Sequence, residues 1–90
     1  MYSINYTKAF RKDLKLCSKR GYDIQFLHNA ITLLACDGKL PPKYCPHILS
    51  GKYDGIWECH IKADWLMTWR QYDDRLELLM LNTGTHSDLF

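Results

Sequence analysis

Residues 65–82 read WLMTWRQYDDRLELLMLN, two apolar segments joined by a pair of aspartates. The segments on either side of Asp73-Asp74 are rich in aromatic and aliphatic side chains, which favour β-strands. Polar pairs of this kind are common in tight turns. The pattern predicts an antiparallel hairpin in which Tyr72 lies opposite Arg75. Both faces of this hairpin are apolar, so we expect it to lie at the centre of a sheet.

The hairpin register fixes further pairs and extends the sheet toward the N-terminus. In that register Trp69 faces Leu78, and Trp65 faces Asn82. Upstream, the apolar segment Ile56–Ile61 predicts another strand. Residues 38–55 contain all three prolines of the chain and predict an ordered loop. We expect apolar residues of this loop to pack it against the domain, namely Tyr44, Ile48 and Leu49.

The first forty residues predict one strand followed by a helical hairpin. Alternation of apolar and polar residues from Tyr2 to Tyr6 is typical of a half-buried strand. Thr7 can cap a first helix that ends at Gly21, and Asp23 can cap a second that ends at Asp37-Gly38. Apolar residues at three-to-four spacing give each helix one buried face: Phe10, Leu14 and Cys17 in the first, and Ile24, Leu27, Ile31, Leu34 and Ala35 in the second.

The predicted order is therefore β-α-α-β-β-β. Such an order predicts a small α+β domain in which a two-helix hairpin packs on a mostly antiparallel sheet. A length of 90 residues is sufficient for one hydrophobic core, so residues 1–90 are expected to form a single domain. A content of 47% hydrophobic residues excludes a disordered chain.

Composition also bears on the location of the protein. No apolar run exceeds four residues, and the N-terminus has no apolar block, so we expect neither a membrane span nor a secretory signal. The cysteines are separated by 18, 8 and 13 residues, without the close pairs of a zinc site. Reduced thiols, no metal and a cytoplasmic location are the simplest interpretation.

The first predicted helix carries most of the positive charge. It holds six cations against one anion, Asp13, whereas residues 21–90 hold six cations against nine anions. This distribution is compatible with a solvated helix face or with a polyanionic partner such as RNA. The candidate backbone-binding cations are Lys8, Arg11, Lys12, Lys15, Lys19 and Arg20.

Histidines and one aspartate should meet at one edge of the sheet. His60 ends a predicted strand, Asp64 lies in the following bend, and the hairpin returns to the same edge just before His86. The loop residue His47 could join them. Metal-free RNA cleavage requires a base to take a proton from the ribose 2′-OH and an acid to protonate the leaving oxygen, and imidazole can perform either role.

Several short motifs, in order along the chain, identify a resemblance. They are Pro46-His47-Ile48-Leu49-Ser50-Gly51, Glu58-Cys59-His60-Ile61, Asp64-Trp65 and the C-terminal Thr83-Gly84-Thr85-His86-Ser87-Asp88-Leu89-Phe90. Together with the helical hairpin and its basic first helix, these motifs resemble the YafQ branch of RelE/ParE-type toxins. The resemblance extends over the whole chain.

The resemblance implies an mRNA interferase, an endoribonuclease that cleaves messenger RNA in the ribosomal A site and inhibits translation, with no cofactor. His47, His60, Asp64 and His86 match the catalytic positions of the family. His86 is then expected to act as the acid, His60 or His47 as the base, and Asp64 to orient an imidazole. Candidate substrate-binding residues are Trp65, Arg70, Thr83, Gly84 and Phe90, with Phe90 or Trp65 stacking a base and Gly84 admitting a phosphate.

The resemblance also implies partners. It predicts a cognate antitoxin in a hetero-oligomeric complex, which could bind operator DNA through the antitoxin, besides the ribosome and mRNA. One residue departs from the family pattern: Asn82 stands where relatives often carry arginine. A neutral amide stabilises phosphate charge less well than a guanidinium. Compensating cations could be Lys62, Arg70 or Arg75.

Three alternatives remain open from the sequence. A ParE-type toxin would share the fold but inhibit DNA gyrase by binding, without a need for these histidines. A metal-dependent hydrolase would use the same four side chains as ligands. A catalytically weak homologue, impaired by Asn82, would retain only antitoxin binding.

Overall fold

A computed structural model describes residues 1–90 and contains three α-helices and five β-strands. In chain order these are β1 (Ser3–Tyr6), α1 (Lys8–Lys19), α2 (Ile24–Asp37), β2 (His47–Ile48), β3 (Trp57–Lys62), β4 (Trp65–Tyr72), β5 (Glu77–Gly84) and α3 (His86–Leu89). The predicted β-α-α-β-β-β order and α+β class are confirmed. The short elements β2 and α3 were not predicted.

The helices begin and end where the sequence predicted. The Thr7 hydroxyl accepts a hydrogen bond from the Phe10 N–H, and the Asp23 carboxylate accepts one from the Gln25 N–H. Each cap satisfies an N–H group that would otherwise lack a partner in the first turn. Gly38 ends α2 in the left-handed conformation, with φ of 71°. None of the three helices combines the length and the apolar composition that a membrane span requires.

The five strands form one sheet in the order β1-β5-β4-β3-β2. β1 pairs with β5 in parallel, and the other three pairs are antiparallel. The hairpin of β4 and β5 therefore lies inside the sheet, as its two apolar faces predicted. The parallel pair forms because the chain crosses over through the helical hairpin before it returns to the sheet.

The hairpin turn is longer than predicted, and the predicted register is wrong. Tyr72 lies opposite Glu77, not Arg75, so residues 73–76 form the turn. A two-residue turn requires positive φ at both central positions, which favours Asn-Gly or Asp-Gly over two aspartates. Here the chain reverses over four residues, and Leu76 adopts a positive φ of 51°.

A bulge displaces the register once more toward the end of the hairpin. Up to Trp69 the four-residue turn alone sets the register, so that Trp69 lies opposite Met80, two positions beyond its predicted partner. Beside this pair one extra residue enters β5, so that Asn82 lies opposite Thr68 and not opposite Trp65. β-bulges of this kind bend a strand and redirect the side chains that follow.

The two faces of the sheet have different compositions. The helical hairpin covers one face, where α1 lies on β5 and α2 on β3. Sixteen buried residues form the core between these layers, with Phe10, Leu34, Met67 and Trp69 among its most buried members. Side chains alternate across a strand, so β3 directs Glu58 and His60 to the opposite face.

The loop before β3 is ordered, as predicted, by two short 3₁₀ turns (Pro42–Tyr44 and Gly51–Tyr53). Tyr44 is buried in the core, which confirms its expected role in packing the loop. Ile48 was expected to pack as well, but 55% of its surface is exposed. It lies on β2, at the outer edge of the sheet, where no element covers it.

Replacement of Gly38 by alanine tests how α2 is tied to β1. A Cβ at Gly38 would lie 2.7 Å from the Tyr2 ring, whereas one at Gly21, which also has positive φ, would meet nothing within 4 Å. Positive φ alone costs an alanine about 1–2 kcal/mol. We expect Gly21→Ala to lower the free energy of unfolding by about that amount and Gly38→Ala to lower it further, in urea denaturation. Equal losses would contradict this packing.

Candidate active site

The candidate site lies where the β3–β4 turn meets the end of β5. Leu66 pairs with Gly84, the last residue of β5. Asp64, in the turn, lies two residues before Leu66, and His86, the first residue of α3, lies two residues after Gly84. The register thus brings together two residues that are far apart in sequence. The prediction that they are neighbours came from topology, and their contact is present.

Asp64 holds the backbone and the ring of His86. Its Oδ1 atom lies 3.0 Å from His86 Nδ1 and accepts a hydrogen bond from the His86 N–H at 3.2 Å. These donors lower the pKa of Asp64, mainly through the imidazole and then through the backbone N–H. When Nδ1 donates to the carboxylate, Nε2 is the nitrogen left to exchange protons with a substrate.

His60 completes the predicted group. Its ring centroid lies 6.1 Å from that of His86, in an edge-on arrangement. Phe90 is also near His86, with ring centroids 6.4 Å apart, and half of its surface is exposed. Two imidazoles, a carboxylate and an accessible aromatic ring therefore share one edge of the sheet.

His47 lies one strand away and contacts a residue that the sequence analysis missed. β2 places it opposite Glu58 on β3, where His47 Nε2 lies 3.1 Å from Glu58 Oε1. The other ring nitrogen, Nδ1, lies 2.9 Å from the Cys45 carbonyl oxygen. Glu58 is only 5% exposed, and a buried carboxylate requires such a partner. Glu58 precedes His60 by two residues, so both lie on the same face of the strand, and this spacing could have identified Glu58 from the sequence.

Three candidate substrate-binding residues are placed elsewhere by the structure. Trp65 is 4% exposed and packs against Tyr22, so its ring cannot stack a base. Thr83 is 2% exposed, and its hydroxyl accepts a hydrogen bond from the Trp65 indole and donates to the Leu66 carbonyl. A Cβ at Gly84 would lie 2.7 Å from an Asp88 oxygen, so this glycine admits a carboxylate of the protein. These assignments are corrected: all three residues shape the site from within.

Phe90 and Arg70 occupy the face opposite the helices. Phe90 packs edge-on against Tyr53, with centroids 5.0 Å apart, beside a cavity of about 80 Å³ that Asn82 also lines. Arg70 lies four residues along β4 from the partner of His60, a distance of about 13 Å for an extended strand. Its guanidinium is close to Gly55. Arg70 is therefore displaced along β4 from His60, although it lies only two residues from Thr68, the partner of Asn82.

Asn82 has a different partner from the one expected of a phosphate-binding residue. Its side-chain amide donates to Asp13 Oδ2 at 2.9 Å, and the Thr83 N–H donates to the same oxygen at 3.2 Å. Asp13, on α1, thereby secures the bulged part of β5. Of the other suggested cations, Arg75 lies at the distant hairpin turn, whereas Lys62 is near Asp64 with its ammonium group over the Phe26 ring.

The basic face of α1 is present, with one member engaged. Five of its six cations form no ion pair: Lys8, Arg11, Lys12, Lys15 and Lys19. Arg20, the residue that follows the helix, binds both carboxylate oxygens of Asp88 at 2.6 and 3.1 Å. Arg20 is thus not a free cation of the kind that the charge pattern suggested.

No three side chains of the metal-binding types converge on one point. Of the four proposed catalytic residues, Asp64 and His86 form a pair with His60 beside it, whereas His47 pairs with Glu58. All four cysteines are free thiols. Burial raises the pKa of the Cys59 thiol to about 12, so it stays protonated and unreactive at neutral pH. The arrangement is suited to proton transfer and therefore indicates the class of general acid–base catalysts.

Comparisons with known proteins agree with this class. Residues 2–90 match the family model described as the bacterial toxin of type II toxin-antitoxin system, YafQ. The chain is 35% identical to the mRNA interferase toxin YafQ of Escherichia coli strain K12 over 88 residues, which cover 97% of this chain and 94% of that protein. The chain therefore belongs to the YafQ family of type II toxins.

Two solved structures are similar over the whole chain. A chain in the crystal structure of the E. coli DinJ-YafQ complex gives a TM-score of 0.89 at 34% identity, with 100% of this chain and 99% of that chain covered. A metal-bound toxin from Helicobacter pylori gives a TM-score of 0.90 at 37% identity, with both chains fully covered.

The titration of Asp64 tests the contact with His86. We expect its pKa to lie below the usual 3.8, and to rise toward that value in His86→Ala, which removes the imidazole but keeps the backbone donor. Carboxyl ¹³C NMR shifts recorded against pH measure both values. Asp88 serves as the internal control because its donors, Arg20 and Thr85, are retained. An Asp64 pKa that is unchanged by the substitution would contradict the observed hydrogen bond.

Proposed function

We propose that this chain is a ribosome-dependent mRNA interferase whose catalytic centre is the edge formed by His60, Asp64 and His86. The observation that supports this most strongly is the contact between Asp64 and His86 with His60 beside it. Membership of the YafQ family supports the reaction class, since relatives are named mRNA interferases. The enzyme is an endoribonuclease that inhibits translation as the toxin of a type II system.

The proposed reaction is a transfer of the phosphoryl group to the neighbouring ribose oxygen. His60 takes the proton of the 2′-OH, and the 2′-oxygen forms a bond to phosphorus. The bond from phosphorus to the 5′-oxygen breaks, and His86 Nε2 supplies the proton for the leaving oxygen. The products are a 2′,3′-cyclic phosphate and a free 5′-OH. Asp64 holds Nδ1 of His86 and thereby orients the ring so that Nε2 can reach the leaving oxygen.

His47 is the alternative base. Both of its ring nitrogens have acceptor partners, Nε2 the buried Glu58 carboxylate and Nδ1 the Cys45 carbonyl, so His47 could take a proton from the 2′-OH only after one of these contacts breaks. His47 lies on β2, three strands from β5 and hence from His86, whereas His60 lies beside His86, and this favours His60 for direct proton transfer and His47 for a supporting role. Phe90, half exposed beside His86, is suited to stacking a base next to the scissile phosphate.

The remaining surface supports binding to the ribosome and to an antitoxin. The five unpaired cations of α1 suit contacts with ribosomal RNA phosphates, which would weaken as salt concentration rises. An E. coli homologue forms the DinJ-YafQ complex, and we propose a cognate antitoxin, a hetero-oligomeric complex and operator binding through the antitoxin. The substrate and the exposed free thiols of Cys36 and Cys45 support a cytoplasmic location.

Substitution of the two histidines tests the reaction. We expect His60→Ala and His86→Ala each to slow cleavage of ribosome-bound mRNA by roughly 100- to 10,000-fold, as loss of a general acid or base does. Cleavage sites are mapped on transcripts after induction, and rates are measured with purified ribosomes. His28→Ala is the matched control, because His28 lies exposed on α2, away from this edge, and should retain the wild-type rate.

Two further outcomes separate the alternatives. We expect full activity in EDTA, and loss of activity on chelation would favour a metal-dependent hydrolase. Growth arrest with intact transcripts, unaffected by either substitution, would favour a ParE-like toxin that binds gyrase. Intact transcripts without growth arrest would leave only antitoxin binding and would overturn the proposed reaction.

A further inference from the structure

The catalytic His86 is carried by an element that is too short to be stable alone. α3 comprises the four residues His86–Leu89, at the C-terminal end of the chain. An isolated turn of helix is unstable because nucleation fixes several residues for one hydrogen bond. His86 is 59% exposed at its side chain, so few packing contacts hold its ring. Its direction therefore depends on the Asp64 contact and on whatever holds the turn in place.

Asp88 is the residue that holds this turn. Its Oδ2 atom accepts a hydrogen bond from the Thr85 N–H at 2.9 Å, and the Thr85 hydroxyl accepts one from the Asp88 N–H at 3.2 Å. This reciprocal arrangement is a capping box. Gly84 lies directly against the same carboxylate, where any side chain would collide with it. Asp88 thus joins the end of β5 to the start of α3.

Arg20, which lies 68 residues earlier in the sequence, binds the same carboxylate. Arg20 Nη1 lies 2.6 Å from Asp88 Oδ2, and Nη2 lies 3.1 Å from Asp88 Oδ1. This two-point geometry fixes direction as well as distance, which a lysine could not do. The guanidinium holds the pKa of Asp88 well below its usual range, so the pair stays charged at every physiological pH.

Arg20 is itself well placed to act as an anchor. It follows the last residue of α1, and its backbone N–H bonds back to the Leu16 carbonyl. Two residues later, Tyr22 packs on Trp65, whose indole bonds to Thr83. The connection between α1 and α2 therefore braces the catalytic edge at two points, one apolar and one ionic.

We propose that Arg20 is a positioning residue for catalysis, which fixes the direction of His86 by binding Asp88 and so clamping the turn that carries the imidazole. Arg20 does not contact the reacting atoms in this role. The proposal rests on the proposed function for its effect on the rate, whereas the clamp itself is a property of the free protein.

Four variants test the clamp. Arg20→Met removes the charge and keeps the length of the chain. Asp88→Asn loses the ion pair but retains an oxygen for the capping box, and Asp88→Ala loses both. Lys19→Met removes a neighbouring cation that forms no ion pair, and controls for weaker attraction to ribosomal RNA. Circular dichroism and thermal unfolding first establish that each variant is folded.

We expect Arg20→Met and Asp88→Asn each to lower kcat about tenfold, since a shift of about 1 Å at a reacting group can cost as much as a hundredfold. The double variant should be no slower than either single variant, because both remove one interaction. Asp88→Ala should be slower than Asp88→Asn. Lys19→Met should raise KM and leave kcat unchanged. A change in KM alone for Arg20→Met, or multiplied losses in the double variant, would overturn the proposal.

NMR relaxation tests the clamp without any cleavage assay. Backbone ¹⁵N order parameters of residues 84–90 should fall in Arg20→Met and in Asp88→Asn, and remain at wild-type values in Lys19→Met. Unchanged order parameters in Arg20→Met would overturn the clamp even if the enzyme is active. Lower order parameters in a protein that cleaves no mRNA would support the clamp and contradict the proposed function.

Discussion

Asp64 meets His86 because of the register in which β4 pairs with β5. Leu66 lies opposite Gly84, and Asp64 and His86 are each two residues beyond this pair, one before β4 begins and one after β5 ends. Side chains alternate across a strand, so a slip of one residue would carry either group to the wrong face. The four-residue turn and the bulge beside Trp69 together set this register. The chemistry of the edge therefore depends on the packing of the hairpin.

The sheet separates packing from chemistry. One face is buried under the helical hairpin, and the other carries His60 and the buried Glu58 with its partner His47. The basic helix α1 belongs to the packing layer, yet the residue that follows it reaches around the end of the sheet to bind Asp88. In this way the proposed RNA-binding helix and the catalytic turn are joined within a domain of 90 residues. A small core leaves few other means to order an exposed C-terminal segment.

The sequence was sufficient for the features that depend on local patterns. Caps and apolar periodicity defined both helices, and the topology of successive strands brought His86 to Asp64. Features that depend on contacts between distant parts of the fold could not be predicted from the sequence. The hairpin register required knowledge that Leu76 would accept a positive φ, and the role of Arg20 required a partner 68 residues away. Trp65 illustrates the same limit, since its position beside Asp64 allowed either core packing or stacking on a base, and only its burial decides for the core.

The most direct test of the account is a double-mutant cycle on Asp64 and His86, read as the single-turnover rate of cleavage of ribosome-bound mRNA. If Asp64 acts by holding the imidazole, Asp64→Ala should slow cleavage about 10- to 100-fold in the wild-type background and have no further effect in His86→Ala. Losses that multiply in the double variant would show that the two residues act independently. That result would contradict the claim that the sheet register assembles one catalytic unit from these two residues.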